Sequence, residues 1–317
     1  MLSSGNLGVG IGLDVLWRLN AAAVNYATTW SFATYAQANN GALPGPWANV
    51  RRTGTATYES SSGVITTLPD LGGGTYAARV QYRSGTARGL LIEGQTTNLL
   101  RYSEDFSNAA WTRLGTTEVV NSIAAPDGAS TADKLTDTAS STTARFTYQT
   151  LTKSASSITY TLSAFVKAAE YGIVNLLLGN GAQYYGKSIS LSDGALTTVS
   201  GSTTFTFVSA TRTALGNGWY RVSLTCTSDT NTSLLAFIGQ TSTAGSYDYA
   251  GTAGSGLYVW GAQVEVGVSA TSYVPTVGGT VARVADSAGV FLTSAALSAA
   301  FPGGVGQPWT TVFSYIK

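Results

Sequence analysis

The chain has 317 residues, of which only 10% are charged, and its formal net charge is +1. Its 17 lysines and arginines are spread along the chain and form no basic stripe, so nucleic-acid binding has little electrostatic support. Histidine is absent, which excludes Ser-His-Asp and Cys-His nucleophile systems and imidazole zinc sites. The 37 glycines and 17 tyrosines are typical of a β-rich surface protein.

The first part of the chain, residues 1–95, is predicted to be an extended arm for docking and oligomerisation. Its run at 21–39 combines alanines, which permit a helix, with Thr, Val and aromatic residues, which favour a strand, so both remain open. From 51 to 94, short apolar pieces are separated by Ser-Ser-Ser-Gly and Gly-Gly-Gly, a pattern that indicates hairpins.

Residues 1–19 contain neither a secretory signal nor a membrane span. They lack a basic n-region, and Asp14 and Arg18 interrupt the apolar run. We therefore expect no membrane insertion, and a virion released by lysis would need no signal peptide.

The middle of the chain, residues 96–276, shows regularly spaced short strands with turn residues between them. Ile158, Tyr160 and Leu162 alternate with Thr159 and Thr161, as a strand with one apolar face requires. The pattern predicts a mainly β fold, a jelly-roll β-sandwich. The candidate strands lie near 99–102, 132–137, 144–152, 158–168, 171–178, 186–191, 203–208, 219–227, 232–239 and 256–265.

The last part, residues 277–317, is predicted to be a linker and the start of a further segment. A break at Pro302, Gly303 and Gly304 is followed by WTTVFSYIK, which has the pattern of a new strand.

Several blocks of this chain occur in the same order in one kind of viral protein. The chain resembles head spike and tail fibre proteins of phages and gene-transfer agents, which carry a jelly-roll domain similar to a carbohydrate-binding module. The resemblance implies a virion-surface location, contacts with other virion proteins through the N-terminal region, and a homo-oligomer, with a trimer favoured. The blocks are RRTGTATYESSSGVITTL at 51–68, GLLIEGQTTNLLRYSEDFSNAAW at 89–111, PDGASTADKL at 126–135, NGWYRVSL at 217–224, VWGAQVEVGVSATSYVPT at 259–276 and VARVADS at 281–287.

Calcium is implied by the same resemblance, because the first strand of such modules reads like N-L-x-x-N-x-D/E-F and the last strand often carries acids for a structural calcium. Asn98 followed by Glu104 and Asp105 matches that beginning, and these two acids are the candidate Ca²⁺ ligands. In the last strand, Trp260 and Gly261 stand where the acidic pair would fall, which argues against the metal. We expect no required cofactor.

Glycan binding needs flat aromatic faces flanked by amide and carboxylate groups. The alternative is that the tyrosines of the candidate clusters given below pack at the sandwich surface or at a subunit interface. Lys167, Glu170 and Tyr171 form a minor candidate cluster with the same combination of aromatic and polar side chains. The two main candidate clusters are Asn180, Gln183, Tyr184, Tyr185 and Lys187, and Tyr247, Asp248 and Tyr249.

The remaining notable side chains are predicted to be structural. Trp111, Trp219, Trp260 and Cys226 lie in apolar contexts that indicate the core. Carboxylates could still form a glycosidase pair, but several of them, such as Asp127 in a PDG sequence, are in contexts typical of solvated turns.

Together these features predict a non-enzymatic fibre or spike protein that adheres to host surface polysaccharide. Two alternatives remain. One is a glycan-depolymerising tailspike, although the chain lacks the long repeat of a β-helix. The other is a structural adaptor or decoration protein without sugar binding.

Overall fold

The computed structural model describes residues 50–51, 56–68, 79–83, 86–91, 93–138 and 142–288. The expected arm up to residue 49 and the expected C-terminal segment from 289 lie outside the described residues. Within the described residues every regular element is a β-strand, which confirms the mainly β fold class. These residues contain no helix long and apolar enough to span a membrane.

The strands follow one another in short, closely spaced pieces. In chain order they are β1 (Val50–Arg51), β2 (Ala56–Glu59), β3 (Ile65–Leu68), β4 (Val80–Arg83), β5 (Thr86–Leu90), β6 (Thr96–Asn98), β7 (Thr112–Leu114), β8 (Thr116–Ile123), β9 (Ala132–Asp137), β10 (Thr142–Ala144), β11 (Phe146–Thr152), β12 (Thr159–Ala168), β13 (Ile173–Gly179), β14 (Tyr184–Ser190), β15 (Leu196–Ser200), β16 (Thr206–Gly216), β17 (Trp219–Thr227), β18 (Ser233–Thr241), β19 (Asp248–Ala250), β20 (Gly256–Val266), β21 (Val281–Arg283) and β22 (Ser287–Ala288).

Two six-stranded antiparallel sheets form the predicted sandwich. Sheet A has the strand order β15-β14-β13-β18-β11-β7, and sheet B has the order β16-β17-β12-β20-β9-β8. Several neighbours in these orders, such as β11 and β18 or β12 and β20, are far apart in the chain, as in a jelly roll. The main core lies between the sheets, where Leu176 of β13 and Leu162 of β12 are both fully buried. Cys226 belongs to this core, as predicted.

The prediction of a strand at 99–102 is wrong, because the pairing ends at Asn98. The Asn98 side chain accepts a hydrogen bond from the Leu100 N–H at 3.1 Å, which turns the chain out of the strand. Its amide group donates to the carbonyls of Ala262 and Val274 at 3.1 and 2.8 Å. Asn98 therefore fixes the first strand of the module against its last strand.

The outer face of sheet B is covered by other parts of the chain. Trp219, Trp260 and Phe165 form a second core there, packed against Tyr273 and the partly buried Ile65 of the β2-β3 hairpin. The predicted inward placement of Trp219 and Trp260 is thus confirmed, and Trp111 is buried in the main core. Among the described residues, the outer side chains of the central strands β12, β17 and β20 are therefore mostly covered.

A cluster of charged side chains joins the segments before and after the sandwich, and we call Arg79, Glu93, Arg283 and Asp286 the clasp. Arg79 contacts Glu93 at 2.9 Å and also pairs with Asp286. The Glu93 N–H donates to the Asp286 carboxylate at 2.9 Å, and Arg283 donates to the Gly94 carbonyl at 2.9 Å. The two flanking segments therefore meet at one place, while the domain limits at 95 and 276 stay a prediction.

Candidate functional site

The outer face of sheet A is also lined with aromatic and aliphatic side chains. Across the strands, Tyr148 lies opposite Phe237, Phe237 opposite Leu177, and Leu177 opposite Gly186. Because side chains alternate between faces along a strand, Phe146 shares this face with Tyr148. The residues form a cluster that is separate from the main core.

Glycines on neighbouring strands allow two of the rings to lie flat on this face. A β-carbon at Gly179 would lie 2.3 Å from Cδ1 of Tyr184, and one at Gly239 would lie 2.6 Å from Cδ1 of Phe146. Each ring therefore packs on the backbone of a glycine, and a larger residue in place of that glycine would displace the ring. We call Phe146, Tyr148, Tyr184, Phe237 and Tyr247 the aromatic face.

The rings of the aromatic face touch one another in series. Ring centroids are 5.4 Å apart between Tyr184 and Phe237, 4.7 Å between Tyr148 and Phe237, and 5.5 Å between Phe146 and Tyr247. Phe146 and Phe237 are buried, whereas Tyr247 is 37% exposed and Tyr148 and Tyr184 are partly exposed. Three accessible tyrosines thus rest on two phenylalanines that hold them in place.

The tyrosine hydroxyls are also near enough to influence one another. Burial raises the pKa of Tyr184, and the neighbouring Tyr148 and Tyr247 raise that pKa further. The Tyr184 hydroxyl donates to the Gly181 carbonyl at 2.6 Å. It therefore stays protonated at neutral pH, and its oxygen can still accept a hydrogen bond from a ligand hydroxyl.

The turn between β13 and β14 adds amide groups at one end of the aromatic face. Asn180 accepts hydrogen bonds from the N–H groups of Ala182 and Gln183, both at 2.8 Å. Its side-chain amide donates to the Asp229 carboxylate at 2.5 Å. Gln183 is exposed. Asn180 therefore serves to shape the turn, and Gln183 remains available to a ligand.

The structure separates Tyr185 and Lys187 from Tyr184, although one cluster was predicted. Tyr185 stacks on Phe207 of β16 with centroids 5.4 Å apart. The Lys187 ammonium lies 4.9 Å from the Phe207 centroid and donates to the Thr198 hydroxyl at 2.8 Å. These two residues lie on the other side of β14, as the two-residue period of a strand requires.

The second predicted cluster is divided in the same way. Tyr247 belongs to the aromatic face and Asp248 is exposed beside it. Tyr249 is only 7% exposed, and its hydroxyl donates to the buried Asp137 at 2.9 Å. Burial and this hydrogen bond raise the pKa of Tyr249 well above its usual value. It has no accessible ring for stacking, and we assign it to the protein interior.

Lys167, Glu170 and Tyr171 do not assemble into a site. Glu170 pairs with Lys134 at 2.8 Å, and Tyr171 donates to Asp137 at 2.8 Å. These contacts hold neighbouring loops together.

The two predicted calcium ligands lie beside a cleft of about 490 Å³. Glu104 accepts a hydrogen bond from the Tyr273 hydroxyl at 2.9 Å, and burial raises its pKa. Asp105 accepts hydrogen bonds from Ser107 within a turn. The described residues contain no group of three acidic, histidine or cysteine side chains placed to hold a metal. Since Ca²⁺ takes roughly six to eight oxygen ligands, these residues do not fit it well.

Sequence reasoning missed Phe146, Tyr148 and Phe237. They lie on β11 and β18, far from Tyr184 and Tyr247 in the chain, and only sheet A's strand order brings the five rings together. The sequence did carry one signal for an apolar outer face: β18 has apolar residues on both of its faces, Leu235 and Phe237 on one and Ala236 and Ile238 on the other.

The chain matches no protein-family model and no curated protein sequence. Solved structures that are similar to part of it include a phage tailspike domain and a carbohydrate-binding module. The enzymatically active domain of tailspike protein 4 from bacteriophage CBA120 covers 53% of this chain at 13% identity, with a TM-score of 0.32. The match spans 21% of that tailspike chain. The carbohydrate-binding module TmCBM61, solved with β-1,4-galactotriose, covers 45% of this chain and 97% of its own, at 8% identity and a TM-score of 0.23.

Proposed function

We propose that this chain is a non-enzymatic structural protein of a phage or phage-derived particle, a head spike or tail fibre subunit, that adheres to host surface polysaccharide through the aromatic face. The observation that supports the proposal is the convergence of Tyr148, Tyr184 and Tyr247 on one accessible surface. The virion assignment rests on the sequence blocks that resemble fibre and spike proteins.

The chemistry of the aromatic face suits a sugar. Sugar rings present C–H surfaces that pack on aromatic rings, and their hydroxyls need donors and acceptors nearby. The aromatic face supplies tyrosine rings with hydroxyl groups, and the exposed Gln183 and Asp248 directly adjoin Tyr184 and Tyr247 in the chain. The rings are held by Phe146 and Phe237, so little conformational freedom is lost on binding.

The position of the aromatic face suits adhesion. The clasp and the β2-β3 hairpin lie on the sheet B side, where Arg79 and Thr57 bond to residues 272 and 273. The aromatic face lies on the opposite side of the sandwich. If the N-terminal region docks on the particle, sheet A faces outward towards the host. The predicted trimer would then present several copies together.

The affinity of one copy should be weak. Each sugar-aromatic contact contributes roughly 1 kcal/mol, which corresponds to about a fivefold change in affinity. Several copies on one particle would raise the apparent affinity through multivalency.

A pair of neighbouring tyrosines gives a matched test. Tyr184→Ala removes a ring of the aromatic face, whereas Tyr185→Ala removes a ring on the other side of the same strand. With host surface polysaccharide, Tyr184→Ala should weaken binding by at least about fivefold, and Tyr185→Ala should leave it unchanged. Equal losses, or a loss only for Tyr185→Ala, would refute the assignment of the face. Shortening of the polysaccharide on incubation would instead identify a depolymerase.

A further inference from the structure

Three apolar side chains pack against the tyrosines of the aromatic face, and we call Leu177, Leu235 and Phe237 the apolar floor. Leu177 lies opposite Phe237 across β13 and β18, and Leu235 precedes Phe237 by two residues, so it projects to the same side. All three belong to one cluster with Tyr148 and Tyr184. Leu177 and Phe237 are 3% and 7% exposed, whereas Leu235 is half-buried. Leu235 is therefore the part of the apolar floor that a ligand reaches most easily.

The strand neighbours of the apolar floor offer few partners for hydrogen bonds. Leu177 lies opposite Gly186, and Leu235 lies between Gly179 and Thr150. The two glycines have no side chain, and Thr150 is exposed on the β11 side of Leu235. A sugar hydroxyl directed at the apolar floor away from Thr150 would lose its hydrogen bonds to water without replacing them.

Three tyrosine hydroxyls lie close to one another on the same face, since Tyr148 and Tyr247 both raise the pKa of Tyr184. The Tyr184 hydroxyl donates to the Gly181 carbonyl at 2.6 Å. The hydroxyls of Tyr148 and Tyr247 make no hydrogen bond within the described part of the chain. The aromatic face thus combines free hydroxyls with an apolar floor, and a ligand that fits both must itself carry hydroxyls on one side and an apolar group on another.

We propose that the aromatic face prefers sugars that present a methyl group over matched sugars that present a hydroxyl in its place, an inference that rests on the proposed function. A methyl group placed on Leu235 leaves no polar group without a partner, and its burial should raise the affinity about fourfold. The tyrosine hydroxyls can still bond to the remaining hydroxyls of such a sugar. Deoxy sugars and N-acetylated sugars both carry a methyl group of this kind.

The test compares matched sugars coupled at equal density to the same neutral polymer. The pairs are L-fucose with L-galactose, L-rhamnose with L-mannose, and N-acetylglucosamine with glucose, and binding of the full chain is measured by calorimetry. The methyl-bearing member of at least one pair should bind at least about fourfold more tightly than its partner. The first two pairs test a deoxy sugar as the source of the methyl group, and the third tests an acetyl group.

A threonine variant shows whether the apolar floor causes the preference. Leu235→Thr shortens the apolar side chain and adds a hydroxyl, so the difference within the pair should narrow. Leu196→Thr is the matched control, because Leu196 is 43% exposed on the same sheet but pairs with the core residue Ile189 and so lies on the other side of it. The control should keep the full preference, and denaturant unfolding should show that both variants are folded.

Three outcomes would overturn the inference. One is equal or tighter binding of the hydroxyl-bearing sugar in every pair while host surface polysaccharide still binds, in which case the proposed function stands. Another is a preference that Leu235→Thr leaves unchanged. The third is dissociation of a homo-oligomer by Leu235→Thr with sugar binding unaltered, which would show that the apolar floor contacts a second copy of the chain. If neither the coupled sugars nor the polysaccharide binds, the proposed function fails together with the inference.

Discussion

Gly179 and Tyr184 face each other across β13 and β14, and the tyrosine ring lies where the β-carbon of any other residue at 179 would be. Such an atom would be 2.3 Å from Cδ1 of the ring and 2.6 Å from the Gln183 carbonyl oxygen. The absence of a side chain at 179 therefore fixes the position of an aromatic ring five residues later.

Gly179→Ala should consequently displace the Tyr184 ring. We expect weaker polysaccharide binding, by a factor similar to that of Tyr184→Ala, and a loss of about 1–3 kcal/mol of unfolding free energy from overpacking. Denaturant unfolding and calorimetric binding measure the two effects. Gly201→Ala is the control, because no atom lies within 4 Å of a β-carbon at that position. Unchanged binding by Gly179→Ala would show that the ring position does not matter.

Tyr249→Phe should affect stability and not binding. It removes the hydrogen bond to Asp137 at 2.9 Å and leaves this buried carboxylate with one donor fewer. The expected cost is about 1–3 kcal/mol in chemical unfolding. Tyr247→Phe keeps its exposed ring and should unfold like the unmodified protein. If Tyr249→Phe reduced polysaccharide binding at unchanged stability, Tyr249 would belong to the binding site, contrary to its assignment to the protein interior.

The clasp should make the protein sensitive to acid. Burial alone would raise the pKa of Glu93, but Arg283, Arg79 and hydrogen bonds from Ser272 outweigh burial and hold it below its usual value of 4.5. Because the folded pKa is depressed, the stabilisation is present above about pH 4.5 and is lost as the pH falls through the lower, folded value. The free energy of unfolding should therefore fall below pH 4.5.

Glu93→Gln tests this account of the clasp. It should cost about 3–5 kcal/mol at neutral pH, since Arg79 and Arg283 lose a buried partner, and it should flatten the stability curve below pH 4.5. Glu170→Gln breaks a half-exposed pair with Lys134 and should cost no more than about 1 kcal/mol. An acid dependence that is the same with and without Glu93 would contradict the role given to the clasp.

Cys226 should not react with thiol reagents in the native protein. It is fully buried in the main core, and burial raises the pKa of its thiol to about 12, so almost no thiolate exists at neutral pH. Labelling with a disulfide reagent should be slow in buffer and complete in denaturant. Rapid labelling in buffer would show that the two sheets open.

The fold could be predicted from the sequence to a greater extent than the site. Alternation along β12 and β17 identified two strands of the sandwich because one face of each is buried in the core. The same alternation separates Tyr184 from Tyr185, and applying it within the cluster would have split that cluster correctly. Phe146 and Phe237 could not be assigned, because the pairing of β11 with β18 joins residues that are 81 to 91 positions apart in the chain. The burial of Tyr249 depends on Asp137, which lies 112 positions away.

The central claim is that the aromatic face holds the glycan, and a crystal structure with a bound oligosaccharide tests it most directly. The oligosaccharide should be derived from the host surface polysaccharide that the protein binds most tightly. We predict that sugar rings lie over Tyr148, Tyr184 and Tyr247, with Gln183 or Asp248 at hydrogen-bond distance from a sugar hydroxyl. An oligosaccharide bound in the cleft beside Glu104, or stacked on Tyr185 and Phe207, would contradict the claim.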